Sequence, residues 1–248
     1  MTARNIFLSA TILLLSAALF AFVKKQTNTN DQFLTYTVDP KKQQLKMYWK
    51  DEANTTFKSI KNLEQYLRGK QQQLIFAMNG GMYKPGNSPQ GLYIEEGKTL
   101  APLDTAAGTG NFYLQPNGVF YISKNGVPAI CKTTDFINNG KIQYATQSGP
   151  MLVIDGKIHT AFTKGSANLN TRNGVGILPG NKVVFVLSKK EVNFYEFASY
   201  FKSLGCSNAL YLDGLVSRAY LPEQHWLQTD GNFGVIIGVT KSKNQLKE

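Results

Sequence analysis

The sequence predicts an α/β fold of the α+β kind: a mixed, largely antiparallel central sheet with several hairpins and a few flanking helices. Three observations predict it. Turn signals sit between short apolar runs at Lys124-Asn125-Gly126, Asp155-Gly156 and Pro179-Gly180-Asn181, and such residues accept the positive φ of tight hairpins. Gly 22, Tyr 12 and Phe 15 favour strands joined by many turns. One long stretch, 188–204, carries clear helical periodicity.

The elements follow in order. Phe33 to Val38 alternates and is β-branched, and it is expected to pair with Leu45 to Trp49 across the turn at Asp39-Pro40. Ser59 to Arg68 reads as a short helix with Ile60, Leu63 and Leu67 on one face, stopped by Gly69. Leu74 to Met78 is a buried strand, and Lys84 to Pro89 a surface loop. Gly91 to Ile94 is a strand turned at Glu96-Gly97. Three hairpins follow: Val119–Ser123 with Val127–Ile130, Met151–Ile154 with Lys157–Thr160, and Gly174–Leu178 with Val183–Leu187. Ser188 and Glu191 have capping-box spacing, with Val192, Tyr195, Phe197 or Ala198, Phe201 and Leu204 recurring behind them until Gly205. Ala209 to Leu212 and Phe233 to Val239 complete the strands.

Residues 1–30 read as a signal peptide or N-terminal anchor plus a polar linker, and 31–248 as a single domain. Ile6 to Val23 is the longest apolar run, with Arg4 before it and Lys24-Lys25 after. Ser16-Ala17-Ala18 offers a small-residue cleavage site. The run is also close to the roughly 20 apolar residues that a bilayer span needs, so membrane attachment through 6–23 competes with cleavage. Either reading exports the domain to the periplasm or beyond. No Cys lies near the segment, which argues against a lipoprotein.

The net charge of +11 fits either a lysine-coated surface or attraction to polyanions. The lysines are scattered and no basic helix interleaves with aromatics, so no nucleic-acid partner is expected. Cys131 and Cys206 are open to one disulfide or to two free thiols. With His159 and His225 the only histidines, no zinc constellation is expected, and no cofactor. The absence of Walker, GxGxxG, HExxH and GxSxG patterns argues against nucleotide hydrolysis, redox chemistry, zinc proteolysis and serine-esterase chemistry.

Four glycine-marked clusters each follow or join an apolar run: Asn79-Gly80-Gly81-Met82-Tyr83, Gln147-Ser148-Gly149-Pro150, Arg172-Asn173-Gly174-Val175-Gly176, and Leu212-Asp213-Gly214-Leu215-Val216-Ser217. Glycine lets backbone approach a ligand and frees N–H groups to face it. Together the clusters predict a pocket for a polar, anionic substrate. In this order they resemble the phosphodiester glycosidase (NAGPA-domain) family, bacterial branch, over about 74–239. That family includes the lysosomal uncovering enzyme, which removes N-acetylglucosamine from mannose-phosphate diesters. The resemblance implies an exported hydrolase that cleaves the sugar C1–O bond of glycosyl phosphodiesters, small or polymeric. Much of the family ends the last motif Leu-Asp-Gly-Gly-Gly-Ser. Here Leu215-Val216 replace two glycines, which bears on sugar specificity more than on the chemistry.

Such a reaction expels a phosphomonoester, so it leans less on a general acid. It needs a holder for the phosphate charge and a carboxylate to activate water or attack C1. Arg172 suits the first task, because its planar fork binds phosphate in bidentate fashion. Asp213, exposed at the end of a buried run, suits the second. Asn79 is the third catalytic candidate, able to bind a sugar hydroxyl or orient water. Gly80, Gly81, Tyr83, Ser148, Gly149, Asn173, Gly214 and Ser217 are the candidate substrate-binding residues. A second carboxylate is drawn from Glu95, Glu96, Asp104, Asp135 and Asp155, with Asp104 preferred and the two glutamates and Asp155 read as hairpin-turn residues. His159 is an acid/base candidate against a surface or satisfied histidine. A non-catalytic binder of anionic glycans on the same fold is the alternative.

Overall fold

The structure, a computed structural model, describes residues 31–214 and 216–242. The N-terminal apolar run and almost all of the linker lie outside the described residues, and within those residues no helix is long and apolar enough to cross a membrane.

The strands form three main sheets, and every ladder between them is antiparallel. The first sheet runs, edge to edge, Phe33–Val38, Lys182–Ser188, Asn173–Leu178, Asn208–Asp213, Met151–Ile154 and Lys157–Ile158. The second runs Lys98–Ala101, Tyr93–Glu95, Ile142–Ser148, Gly118–Ser123 and Pro128–Lys132. The third runs Trp226–Leu227, Ala219–Leu221, Gln72–Asn79, Ile236–Ser242 and Gln44–Tyr48. A small hairpin, Tyr83–Lys84 with Ser88–Pro89, stands apart. The α+β expectation holds, with the strands divided among three sheets.

One expected pairing is corrected. Phe33–Val38 does not meet Gln44–Tyr48. It pairs with Lys182–Ser188, placing Leu34 opposite Leu187 and Tyr36 opposite Phe185. Gln44–Tyr48 joins Ile236–Ser242 in another sheet. The turn at Asp39, whose carbonyl accepts from Lys42 and Gln43 (both 2.9 Å), hands the chain from one sheet to the other. The three predicted hairpins form with their predicted turns.

Helix α1, Ile60–Gly69, is capped by Ser59, whose hydroxyl accepts from the Asn62 amide (3.2 Å). It buries Ile60, Leu63 and Leu67 beside Leu74, Ala77 and Ile236 of the third sheet. Helix α2, Phe194–Ser203, begins later than expected. Its capping box is Asn193 with Glu196, not Ser188 with Glu191. Ser188 is consumed as the last residue of a buried strand, where its hydroxyl accepts the Arg172 amide (2.8 Å).

A shared core joins all three sheets through Leu34, Val175 and Leu210, then Phe120 and Tyr144, then Phe76, Met78 and Ile237. Helix α2 covers the other face of the first sheet with Phe197 and Phe201 against Val184, Val186 and Tyr211. Each buried phenylalanine contributes about 1.5–3 kcal/mol of transfer free energy. Gly174 and Gly176 make that packing possible. A Cβ at Gly176 would sit 2.6 Å from Cys206 Sγ and 2.8 Å from Phe201, and one at Gly174 would sit 3.2 Å from Phe197. These glycines admit a helix, not a ligand. Cys131 and Cys206 are both free thiols.

Candidate active site

Three strand ends from two sheets meet at Asp213. Asp213 closes Asn208–Asp213, Asn173 opens the neighbouring strand in register with it, and Asn79 closes Gln72–Asn79 of the third sheet. The chain after Asp213 crosses to that sheet, where Ala219 pairs with Met78.

Asn79 brackets this crossing. Its Nδ2 donates to Asp213 Oδ2 (3.1 Å), while its Oδ1 accepts the Arg218 amide (3.0 Å) and Asn173 Nδ2 (2.7 Å). Asn173 Oδ1 in turn accepts the Asp213 amide (2.7 Å). Gly214 N donates to Asp213 Oδ1 (2.7 Å), and the Ser217 hydroxyl donates to the Asp213 carbonyl (3.1 Å). Every side-chain partner of the Asp213 carboxylate given by these contacts is a neutral N–H. Asp213 is only 9 % exposed, so the exposure expected of it at the strand end is corrected. Burial pushes its pKa up to about 6, against the opposing pull of the Gly214 and Asn79 N–H groups. Tyr83 stands close enough for the Asp213 charge, after burial, to raise its phenol. A buried acid poised near neutrality can exchange a proton with a bound reactant.

Several expected site residues are brought together here: Asp213, Asn79, Asn173, Tyr83, Gly214 and Ser217. The Ser217 side chain is buried and spent on the Asp213 carbonyl, so the substrate contact expected of it is corrected. Asn79 is fully buried, so it orients the carboxylate; the water or sugar contact expected of it is corrected. Asn173 likewise positions Asp213 from beneath. Gly214 is a glycine because a Cβ there would overlap the Tyr211 hydroxyl. Gly81, at φ 155°, leaves no room for a Cβ beside Thr146 Oγ1 (2.9 Å).

Others are used by the fold. Arg172 is 0 % exposed. Its Nε donates to Val192 O (2.8 Å), its Nη2 to Asn168 O (2.9 Å) and Oδ1 (3.1 Å), and its Nη1 to the Tyr211 hydroxyl (3.4 Å). Phe194 stacks on the guanidinium at 3.7 Å. A phosphate clamp needs a fork open to solvent, and this fork is sealed, so that role is corrected. Arg172 supports Tyr211, which lies under Gly214. Ser148 is buried and donates to Leu212 O (2.9 Å), tying the second cluster to the strand that carries Asp213. Gly149 packs a would-be Cβ 2.7 Å from Phe112 O. The Gly80 amide donates to Val235 O (2.8 Å), so it is not free for an oxyanion. All of these lose the direct substrate contact expected of them.

Asp104, the preferred second carboxylate, accepts from Ala106 N (2.9 Å) and the Tyr113 hydroxyl (3.1 Å), and no described contact joins it to the Asp213 circuit. His159 is buried with both nitrogens engaged: Nδ1 accepts from Ala161 N (3.1 Å), so Nε2 carries the proton and meets Gln115 O (3.0 Å). Two residues were missed. Gln147 uses its whole amide, accepting from Leu92 N and Asp104 N and donating to Asp104 O and Thr133 Oγ1. Arg218 follows Ser217 directly, and its place at the end of the last motif was the signal. Its guanidinium is partly exposed, with Nε on both Asp230 oxygens (3.0 Å each).

The architecture is an antiparallel α+β fold with a buried acid at a strand end, and the comparisons identify its family. The model for phosphodiester glycosidase matches residues 72–239, and the chain belongs to that family. It is 39% identical over 222 residues to the uncharacterized protein YigE of Escherichia coli K12, covering 88% of this chain and 85% of that protein. The fold is similar to the catalytic domain of zebrafish N-acetylglucosamine-1-phosphodiester alpha-N-acetylglucosaminidase, auto-inhibited by its pro-peptide: TM-score 0.58, 14% identity, 87% of this chain and 85% of that one. It is also similar to a putative exported protein of Burkholderia pseudomallei, with TM-score 0.53 and 11% identity over 84% of this chain and 73% of that one.

Proposed function

We propose that this protein is an exported hydrolase that cleaves the sugar C1–O bond of glycosyl phosphodiesters. The observation that carries the reading is Asp213: a buried carboxylate held by amide N–H groups, without an ion-pair partner among the described contacts, at the strand end that bears the family's Leu-Asp-Gly signature. In its ionised form it takes a proton from water attacking C1. The phosphomonoester leaves with the electron pair of the broken C1–O bond, stable as an anion without protonation. Tyr83 forms a wall for the sugar. With Arg172 sealed, the phosphate is assigned to Arg218, a partly exposed basic side chain on the segment after Asp213 that also holds Asp230 and the Ser217 carbonyl. The apolar run 6–23 supports export.

The sealing of Arg172 also favours a second reading, a non-catalytic binder of anionic glycans. One experiment separates them. The protein is incubated with a panel of sugar-1-phosphodiesters, with and without chelator, and phosphomonoester release is followed by phosphorus NMR. Release that disappears in Asp213→Asn supports hydrolysis. Saturable binding of the diesters with no release in any condition leaves the binder.

A further inference from the structure

The three sheets have one end at Asp213 and one end away from it. The ladders set this polarity: Phe33 and Tyr48 lie towards the site, opposite Ser188 and Ile236, whereas Val38 and Gln44 lie away from it, opposite Val183 and Thr240. Ile142–Ser148 gives the span. Ser148 is tied to Leu212 O at the site, and the far end of this strand lies about 20 Å off at the rise of about 3.3 Å per residue. At that far end, the turn after Phe33–Val38, the start of Gln44–Tyr48, the turn after Gly118–Ser123 and the start of Ile142–Ser148 border an open groove of about 500 Å³. No residue of the Asp213 circuit lines it.

Lysines that are scattered along the sequence meet here. Lys41, Lys42, Lys46 and Lys124 line the groove, and Lys141, whose carbonyl accepts the Lys124 amide (2.8 Å), stands beside it. No carboxylate lines it. Two acids reach the group, both at the outer limit of an ion pair: Asp39 at 4.0 Å from Lys42 Nζ and Glu96 at 3.9 Å from Lys46 Nζ. Among the described residues Lys41, Lys124 and Lys141 have no ion-pair partner, so the face stays strongly positive. Two of the stems rest on neighbouring turns. Lys41 Cγ is 3.4 Å from where a Cβ would stand on Gly126, and Lys124 Cε is 3.5 Å from the same point on Gly97. Both residues remain exposed, so the stems pack while the ammonium groups stay in water.

We infer that this groove is an accessory binding surface for a polyanion, a phosphodiester-linked glycan polymer, at the opposite end of the sheets from Asp213. Lysine ammonium groups are point charges without the planar fork that fixes one phosphate. Several of them along an open groove read repeated charge instead, each contact weak and the sum strong. The large apolar residues exposed among the described residues are Leu100, Leu114, Ile137, Leu169 and Leu227, and none lines the groove, which disfavours a lipid surface. The one aromatic residue that lines it, Tyr144, is buried, which leaves no stacking platform for nucleic-acid bases. That the groove takes a polyanion rests on its own charges; that the polyanion is a glycan joined by phosphodiesters rests on the hydrolase reading.

The test titrates the full chain into an end-labelled poly(hexose 1-phosphate) glycan, with binding read by fluorescence anisotropy at low and at physiological salt. Inorganic polyphosphate, neutral dextran, phosphatidylglycerol vesicles and single-stranded DNA are the other probes. The glycan and polyphosphate should both bind, more tightly as their chains lengthen, and dextran should not. Lys41→Gln/Lys42→Gln/Lys124→Gln should weaken both about tenfold or more at low salt and flatten the salt dependence. Lys61→Gln/Lys157→Gln/Lys202→Gln removes the same charge from exposed lysines elsewhere and should change binding by less than about threefold. Circular dichroism checks the fold of both variants, and turnover of a small glycosyl phosphodiester should be equal in the parent and the first variant. Equal losses in the two variants, dextran bound as tightly as the glycan, a fall in small-diester turnover in the first variant, or vesicles or DNA held through these lysines while both polymers are ignored overturns the surface. Polyphosphate bound and the glycan ignored overturns the glycan assignment. Polyphosphate has no sugar bond to cut, so its binding stands whether or not the Asp213 reading does.

Discussion

Asn173 and Asp213 face each other across two antiparallel strands, and the Asn173 carboxamide accepts the Asp213 main-chain N–H at 2.7 Å while donating to Asn79 Oδ1 at 2.7 Å. One neutral side chain therefore fixes both the backbone of the acid and the amide that holds its carboxylate. Asn173→Ala would orphan a buried N–H and free Asn79 to rotate. It should cost about 1–3 kcal/mol of stability and lower kcat far more than it raises KM. Urea unfolding and steady-state kinetics check this; a variant with unchanged kcat removes the positioning role.

Asp213→Asn should abolish turnover with the fold retained, and its pH profiles should move in opposite senses. Activity of the parent rises as pH passes through about 6, because the base must be ionised. Stability does the reverse. The folded pKa lies above the ordinary 3.8, so the folded chain holds this proton more tightly. That contribution is complete below about pH 3.8 and fades as pH rises through about 6, by about 3 kcal/mol in all. In the variant this part of the Tm decline between pH 4 and pH 7 should be missing.

Arg172→Lys should act on stability. The lysine cannot reproduce the fork to Val192, Asn168 and Tyr211 or the stack on Phe194, and about 2–4 kcal/mol should be lost. KM of the remaining folded enzyme for a diester should be unchanged. A raised KM at parental Tm would put the guanidinium in contact with substrate.

Arg218→Ala should leave Tm nearly unchanged, since its ion pair with Asp230 is largely exposed. KM for an anionic diester should rise about tenfold, and its salt dependence should weaken. Kinetics at two ionic strengths decide it.

Reductant should leave Tm where it is, because both cysteines are free. Burial raises the Cys206 thiol to about 12 and the Cys131 thiol to about 11, so both should react slowly with a thiol reagent at pH 8 and quickly once unfolded. A Tm lowered by reductant would reveal a disulfide.

The hairpins were legible because their information is local: Asp155-Gly156 and Lys124-Asn125-Gly126 specify a turn whatever lies elsewhere. The partner of Phe33–Val38 was not, since Lys182–Ser188 is distant in sequence and only the shared core selects it. The capping spacing occurs twice, at Ser188 and at Asn193, and strand burial of Ser188 decides between them. At the site, Asp213 was readable from a buried run that ends in Asp-Gly. Arg172 was misread because residue type shows what a guanidinium can bind, not whether solvent reaches it. The alternation of Gly174 and Gly176 marked the face that a helix covers, and it was taken for a ligand's approach.

The segment that leaves Asp213 and re-enters at Ala219 sews one sheet to another, with Asn79 as the knot. A partly folded molecule that has built only the first of those sheets holds Asp213 without the Asn79 amide that orients its carboxylate. The hydrolysis proposed above would thus report on whether both sheets are joined, and on mild heating it should be lost in step with the seam between them, whatever secondary structure survives around it.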